Sequence, residues 1–394
     1  MLTSRQRWSR PGTWFPASIV LAAVLLSACA ESHADLRRDD TSARVAEDQE
    51  LFVLGSALDN PDQEFSRVVG ADLVGDSAVL VTGAGTHDMR LFNLAGSLLQ
   101  TYGRNGEGPG ENRGIGRIFM QGDTVWTFDV LLKRVDQWSL RDGYSRSIRM
   151  PEMGEAPVWA VLGVFADGSL LGSSAPREQS STGGTTDTRV DLVHWAPGAL
   201  EPTSLKSVLW DRKFILVLPA GSSGYPNPLS DAASIAVTGV TFWYTDSRSA
   251  TVQNYSRSGE LLRTVELPFT PDRVEARDRE IYANAWIGNN QGNTRQRLQA
   301  VVDNAVYPET LPAITDLVAG PDGSVWAGRY IRQGETERTW FVVSADGEVI
   351  EQVSLPADFN LYDVAADRVI GVRRGEADVE QVVAYRLTLV RAFD

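Results

Sequence analysis

Few residues in this chain are equipped for covalent or metal chemistry. It has three histidines: His33 in a polar tract, His194 within a β-patterned stretch, and His87 in a turn. A catalytic zinc site gathers several His or carboxylate ligands, so zinc hydrolysis and zinc-dependent elimination have no ligand set here. No Gly-x-Ser-x-Gly elbow is present, which leaves serine hydrolysis without support. Carboxylates keep calcium open, but no Asp-x-Asp-x-Asp loop occurs, and no other cofactor is expected. The glycine-rich stretch Tyr102-Gly-Arg104-Asn-Gly-Glu107-Gly-Pro109-Gly110-Glu111 superficially suggests a phosphate loop. No Gly-Lys-Ser/Thr follows it, and Pro109 stands where a dinucleotide loop would open a helix, so a nucleotide site is not expected. The single cysteine, Cys29, can form no disulfide within the chain.

Asp129 and Asp246 each lie three residues after a tryptophan, Trp126 and Trp243. In both copies another aromatic, Trp138 or Tyr255, follows twelve residues after that tryptophan, and a turn at Gly143 or Gly259 comes next. Read at period two, each copy is a strand, a polar corner, a second strand and a turn. The aspartates are expected to cap the corner by accepting backbone N–H groups. Trp126, Trp243 and Trp326 are expected in the core between sheets.

A repeated β-unit of this kind predicts a propeller, an all-β fold of six four-stranded antiparallel blades over residues 51–394. The strands read from the sequence include Ala78–Thr82, Met89–Phe92 and Leu98–Tyr102 in the first blade and Ile115–Met120 in the second. Trp159–Phe165 and Val190–Trp195 fall in the third, Ser234–Val237 in the fourth, Ile314–Val318 and Trp340–Ser344 in the fifth, and Val369–Val372 in the sixth. The sixth blade lacks a fourth strand, and Leu51–Leu54 is a strand to spare. Pairing it with Val379–Leu387 would close the ring and remove two open edges.

Alternate connections of a four-stranded blade fall on opposite faces. The short turns, such as Asp167-Gly168 and Asp322-Gly323, fall on one face. The long segments Gly103–Gly114, Ser173–Thr188, Asp211–Leu229 and Pro268–Leu311 fall on the other, as binding loops on a rigid scaffold do. The last of these predicts a short helical insertion between blades four and five. Thr270 would be its N-cap with Pro271 at the first helical position, and Thr294 would precede a face of Leu298, Val301, Val302 and Ala305. The candidate ligand-binding residues on this face are His87, Arg104, Glu107, Glu111, Lys133, Arg248 and Arg329, with Tyr225 and Trp286 as aromatic companions.

The formal charge of −14 argues against nucleic acid, whose phosphates need a basic surface. At the N-terminus Arg5, Arg7 and Arg10 precede the apolar run Ile19–Leu26, which is too short to span a bilayer. Leu26-Ser27-Ala28-Cys29 then resembles the lipobox of bacterial lipoproteins. That resemblance implies a signal peptide over 1–28 and lipid on Cys29, with several acyl chains giving a stable anchor. Removing the leader takes the formal charge from −14 to −17 by subtracting those three arginines. Residues 29–50 are polar and mixed in charge and read as a disordered tether. Ala30 and Glu31 after the cysteine, with no aspartate, imply the outer membrane by the lipoprotein sorting rule.

The glycine-rich loop resembles the signature of a bacterial group of NHL-like six-bladed β-propellers, many of them lipoproteins. In that group an aromatic-Gly-Arg strand end leads into Gly-Glu-Gly-Pro-Gly-Glu. Arg104, Gly106, Glu107, Gly108, Pro109, Gly110 and Glu111 match, while Asn112 stands where the group has an aromatic. The resemblance implies the fold and the envelope location and assigns no reaction. Two functions remain: a lipid-anchored scaffold that binds a protein, peptide or glycan through its loop-rich face, or a calcium-dependent lactonase or hydrolase with carboxylates at the channel mouth.

Overall fold

Trp126 and Trp138 face opposite sides of one sheet, because pairing places Val125 opposite Trp138 and Trp126 opposite Gln137, and side chains alternate along a strand. In a computed structural model, which describes residues 42–55, 60–151, 158–178, 184–218, 221–227, 229–230, 232–375 and 378–389, Trp126 packs with Val158, Val161 and Val193 of the following sheet. Trp138 packs with Leu80, Met89 and Tyr102 of the preceding one. Trp243 and Tyr255 repeat the device, Trp243 against Ala313 and Ile314, Tyr255 against Leu162 and Phe165. Trp126, Trp243 and Trp326 are all buried, at 2%, 0% and 2% exposure, as core tryptophans between sheets.

In chain order the elements begin with β1 (Ser42–Leu54), which belongs to the last sheet. One meander follows of β2 (Val68–Val74), β3 (Ala78–Gly83), β4 (Asp88–Asn93) and β5 (Leu98–Tyr102). The next is β6 (Ile115–Gln121), β7 (Thr124–Asp129), β8 (Arg134–Ser139) and β9 (Gly143–Arg149). A third sheet holds β10 (Ala160–Val164), β11 (Leu170–Ser173), β12 (Arg177–Glu178), β13 (Gly184–Trp195), β14 (Thr203–Leu218) and β15 (Gly221–Pro226). Then come β16 (Ser234–Thr238), β17 (Thr241–Thr245), β18 (Thr251–Ser256) and β19 (Leu261–Glu266), followed by helices α1 (Ala276–Ile287) and α2 (Gly292–Asp303). The remaining strands are β20 (Ile314–Ala319), β21 (Val325–Arg329), β22 (Glu337–Val343), β23 (Val349–Pro356), β24 (Asn360–Val364), β25 (Arg368–Arg374) and β26 (Glu380–Leu389). The first strands meet in a closed cycle, β2 to β6 to β10 to β16 to β20 to β24 and back to β2. They surround a channel of about 910 Å³. The fold is a β-propeller.

The ring closes through β1, which pairs antiparallel with β26; Phe52, Val53 and Leu54 lie opposite Ala384, Val383 and Val382. This strand is longer than the expected Leu51–Leu54. It starts at Ser42, so the reading of 42–50 as tether is corrected. Ser42–Val45 also run parallel to Glu351–Ser354 of β23. Two charged residues of this stretch have partners in the sheet: Arg44 bonds the Glu351 carboxylate, and Glu50 accepts from Arg373 Nη1 at 2.7 Å. Cys29, His33 and the leader lie outside the described residues. Among the described residues no helix is long and apolar enough to cross a membrane.

Two further readings change. The expected loops at Ser173–Thr188 and Asp211–Leu229 are in large part strand, since β13 pairs with β14 from Gly184 through His194 and β15 extends β14 outward. Neither helix starts at its threonine: the first starts later than Thr270 and the second earlier than Thr294. The first opens at Ala276, with the Glu275 N–H donating 2.8 Å to the Asp278 carboxylate. Thr294 lies inside α2. Of the expected α2 face, Val301 is buried, and it packs against Phe214, Leu216 and Tyr225 of the β14–β15 extension.

Candidate functional site

The meander order places the β5–β6 and β19–β20 connections, the β7–β8, β17–β18 and β21–β22 corners and the β13–β14 extension on one face. Asp129 organises one sector of it. This carboxylate is fully buried and accepts four backbone N–H groups: Arg113 at 2.7 Å and Gly114 at 3.1 Å on Oδ2, Leu131 at 3.0 Å and Leu132 at 2.9 Å on Oδ1. It therefore caps its own corner and ties down the incoming glycine-rich loop. Asp246 caps its corner more simply, accepting from Arg248 N at 3.0 Å.

The glycine-rich loop is held as a rigid turn. Arg134 donates to the carbonyls of Glu107, Gly108 and Glu111 while its Nε bonds Asp136 at 3.0 Å. Arg90 does the same for the segment entering the first meander, reaching the carbonyls of Pro61, Asp62 and Glu64. Gly103 has φ +78°, and a Cβ there would lie 2.5 Å from Asn112 Nδ2; this is a close approach that only glycine permits. Asn112 is fully buried and donates to the His87 carbonyl at 3.3 Å, which anchors the loop to the neighbouring corner.

The sequence-predicted residues are spread around this face and are not gathered at one point. Arg104 pairs with Glu111 at 2.8 Å, and hydrogen bonds from the Gly108 N–H and Arg104 hold the Glu111 carboxyl below its ordinary range. Glu107 pairs with Arg113. His87 adopts a left-handed backbone at φ +61°, and its Nδ1 is buried with no partner among the described residues. The Lys133 ammonium sits 4.4 Å from the centre of the Trp159 ring. Arg248 bonds Asp187 at 2.7 Å. Burial pushes the Asp187 carboxyl up, but hydrogen bonds from Arg248 and Arg212 outweigh it and the net shift is downward. Arg329 pairs with Asp272 and lies over the Phe269 ring. Tyr225 and Trp286, far apart in sequence, do meet, with ring centres 6.1 Å apart.

The channel holds residues that the sequence did not single out. Five of its lining strands shift register near their start: between Val68 and Gly70, Ile115 and Arg117, Val161 and Gly163, Ile314 and Asp316, and Leu361 and Asp363. Such bulges bend a strand and re-aim side chains. Arg117, Asp316 and Asp363 stand directly after three of them, and all three line the channel with Asp72. Burial, reinforced by the neighbouring Asp363 charge, raises the Asp72 carboxyl well above the carboxylate range. Burial also raises Asp363, against hydrogen bonds from the Leu73 and Val364 N–H groups. Asp72 and Asp363 are neighbouring carboxyls, and among the described residues no group of three or more His, Cys, Asp or Glu is placed to hold a metal ion.

No protein-family profile matches the chain, and no curated protein sequence matches it. Among solved structures, a member of the DUF4221 family from Bacteroides vulgatus aligns with a TM-score of 0.50 at 8% identity, over 89% of this chain and 99% of that one. An exported protein from Bacteroides fragilis gives 0.49 at 11% identity, over 89% and 100% of the two chains. The calcium-binding protein regucalcin from Agrobacterium tumefaciens gives 0.38 at 10% identity, over 88% and 97%. The first of these shares the fold, and at such identity the likeness carries no activity across.

Proposed function

We propose that this chain is a six-bladed propeller, lipid-anchored through Cys29 in a bacterial cell envelope, that binds a protein, peptide or glycan through its loop-bearing face. The six-membered cycle of inner strands supports the blade count, and the lipobox resemblance supports the anchor and its outer-membrane location. One observation carries the binding role. Val130, Leu131 and Trp159 are 38%, 65% and 54% exposed, and Lys133 from the same corner as Val130 and Leu131 lies over Trp159. Around them the charged residues are already matched by internal partners, so the loops are set before any ligand arrives, and a preorganised surface loses less entropy on binding. Exposed aromatics beside cations are the residue types that dominate interface energetics. Arg104, Lys133, Arg248 and Arg329 would form the charged rim, with His87, Glu107 and Glu111 shaping the loops between them.

Affinity capture from envelope extracts tests this reading. The full-length protein is expected to retain a specific partner that is lost when Trp159 and Leu131 are both changed to serine with melting unaltered. Equal capture by that variant refutes the binding face. For the anchor, Cys29→Ser is expected to move the protein from the membrane to the soluble fraction, and unchanged fractionation refutes it. The calcium-dependent enzyme remains the second reading because Asp72 and Asp363 adjoin in the channel; it requires calcium to raise the melting temperature and Asp363→Asn to abolish that rise.

A further inference from the structure

The face of short turns, opposite the loop face, is where the chain enters the propeller. β1 pairs antiparallel with β26, Arg44 opposite Leu389 and Leu54 opposite Val382. β26 leaves the β25–β26 corner, the counterpart of the β7–β8 corner on the loop face, so it ends, and β1 begins, at the short turns. Ser42 therefore enters there, at the rim between the last two blades. It runs parallel to β23, and its hydroxyl donates to the Ile350 carbonyl at 3.5 Å. Ile350 and Leu389 flank this entry and both are exposed, Leu389 by 67%.

Exposed aliphatic side chains continue from there along the same rim. The outermost strand of each blade begins at the short-turn face; Leu261 and Leu262 open β19, Ile350 is the second residue of β23, and Leu200 lies in the turn before β14. All four are exposed, Leu200 by 93%. Neighbouring blades approach closely at this level: a Cβ on Gly347 would lie 2.8 Å from Arg263 Cδ, and one on Gly259 would lie 3.0 Å from Leu205 Cβ. The arc therefore crosses four successive blades. Single exposed leucines need no explanation, but these share one edge with the point of entry. They are leucine and isoleucine, whereas protein–protein hot spots favour Trp, Tyr and Arg and under-represent Leu. Trp159 and Lys133 on the loop face have the opposite character.

We propose that this arc rests on the membrane surface, seating Leu200, Leu261, Leu262, Ile350 and Leu389 at the headgroup boundary and turning the loop face away from the bilayer. The inference rests on the lipid anchor proposed above. Cys29 precedes Ser42 by thirteen residues, a span of at most about 45 Å. Contact with the bilayer is then intramolecular, at an effective concentration on the order of millimolar, so an apolar contact too weak to hold a free protein becomes populated. That span lets either face turn to the bilayer, and the aliphatic arc decides between them. The turns after β2, β6, β10, β20 and β24 bring Asp76, Asp123, Asp167, Asp322 and Asp367 to the same face. Their charge repels anionic headgroups, so the surface that fits is a zwitterionic one.

The test places the lipidated protein on preformed phosphatidylcholine vesicles, with an environment-sensitive fluorophore on Leu261→Cys, Leu389→Cys or, on the loop face, Leu131→Cys. Flotation with the vesicles reports the anchor, and emission reports the contact. The Leu261→Cys and Leu389→Cys labels are expected to shift to the blue on the vesicles, while the Leu131→Cys label keeps its aqueous emission. Exchanging phosphatidylcholine for phosphatidylglycerol is expected to diminish the rim shift. Melting curves establish that the labelled variants fold. Floating protein whose rim labels keep their aqueous emission, or whose Leu131→Cys label shifts with them, overturns the orientation and leaves the anchor standing. Failure to float removes the anchor and the orientation together. A rim shift that grows with phosphatidylglycerol overturns the apolar contact.

Discussion

Replacing Asp129 with asparagine exchanges one carboxylate oxygen for an NH2 group at a site where four backbone N–H groups converge within 2.7 to 3.1 Å. The remaining oxygen can serve only two of them, and the new NH2 faces the other two donor to donor. Keeping the oxygen on Leu131 and Leu132 preserves the corner and releases Arg113 and Gly114, the end of the glycine-rich loop. A buried donor left without an acceptor costs about 1–3 kcal/mol. Two such donors, one of them on the exposed residue Arg113 and free to find water, give a loss of about 3 kcal/mol. Urea unfolding should show the drop, and hydrogen exchange should localise it, with the amides of Arg113 and Gly114 losing protection before those of Leu131 and Leu132. A loss under about 1 kcal/mol with unchanged protection of all four amides would mean that Asp129 is not the joint between loop and corner.

Three further perturbations follow from the same contacts. Asp72 has a raised carboxyl in the folded chain, so from about pH 4, the ordinary unfolded value, upward the folded state holds more protons than the unfolded one. Stability contributed by this group is full below that value and is lost as pH rises through the folded value, with a slope of at most about 1.4 kcal/mol per pH unit. Asp363 titrates with it as a pair. Asp72→Asn should flatten the curve, and parallel melting profiles of wild type and variant from acid to neutral pH would refute this. Val301→Ala should cost about 2 kcal/mol locally, speeding proteolysis within 276–303 while the global unfolding midpoint stays put; a midpoint shift of that size would make α2 part of the main core. Truncation to Ser42 should leave melting unchanged, whereas truncation to Gly55 removes the closing strand and exposes the edges of β23 and β26. The shorter protein should aggregate or melt without cooperativity, and normal melting would show that the ring does not depend on β1.

The parts of this fold that were legible in the sequence are those where residue spacing alone decides the outcome. A strand assigns faces by parity, so Trp126, Trp243 and Trp326 were readable as core between sheets, and all three are buried. The one-sided distribution of long connections was readable because strand count fixes which end of a meander each connection leaves. The closing strand was readable only over Leu51–Leu54, where it is apolar. A strand that completes a sheet draws its hydrogen bonds from its neighbours, so Ser42–Glu50 could be as polar as a tether and still pair. Arg134 and Arg90 escaped notice for a related reason, since they bind carbonyls and carbonyls carry no residue identity.

The channel side chains were hidden by a failure of parity itself. Strict alternation from Ile115, which is buried, puts Arg117 on the same face, where an unpaired guanidinium would be prohibitively costly. The register shift at Gly116 breaks that count, and the shifts preceding Asp316 and Asp363 break it in the same place on their strands. A one-residue slip exchanges the two faces of a strand, so repeating it on the inner strands moves charged side chains from the packed interior into the channel without any change in composition. Period-two reading therefore fails on the inner strands just past their bulges, and that layer is where the polar side chains of the channel collect.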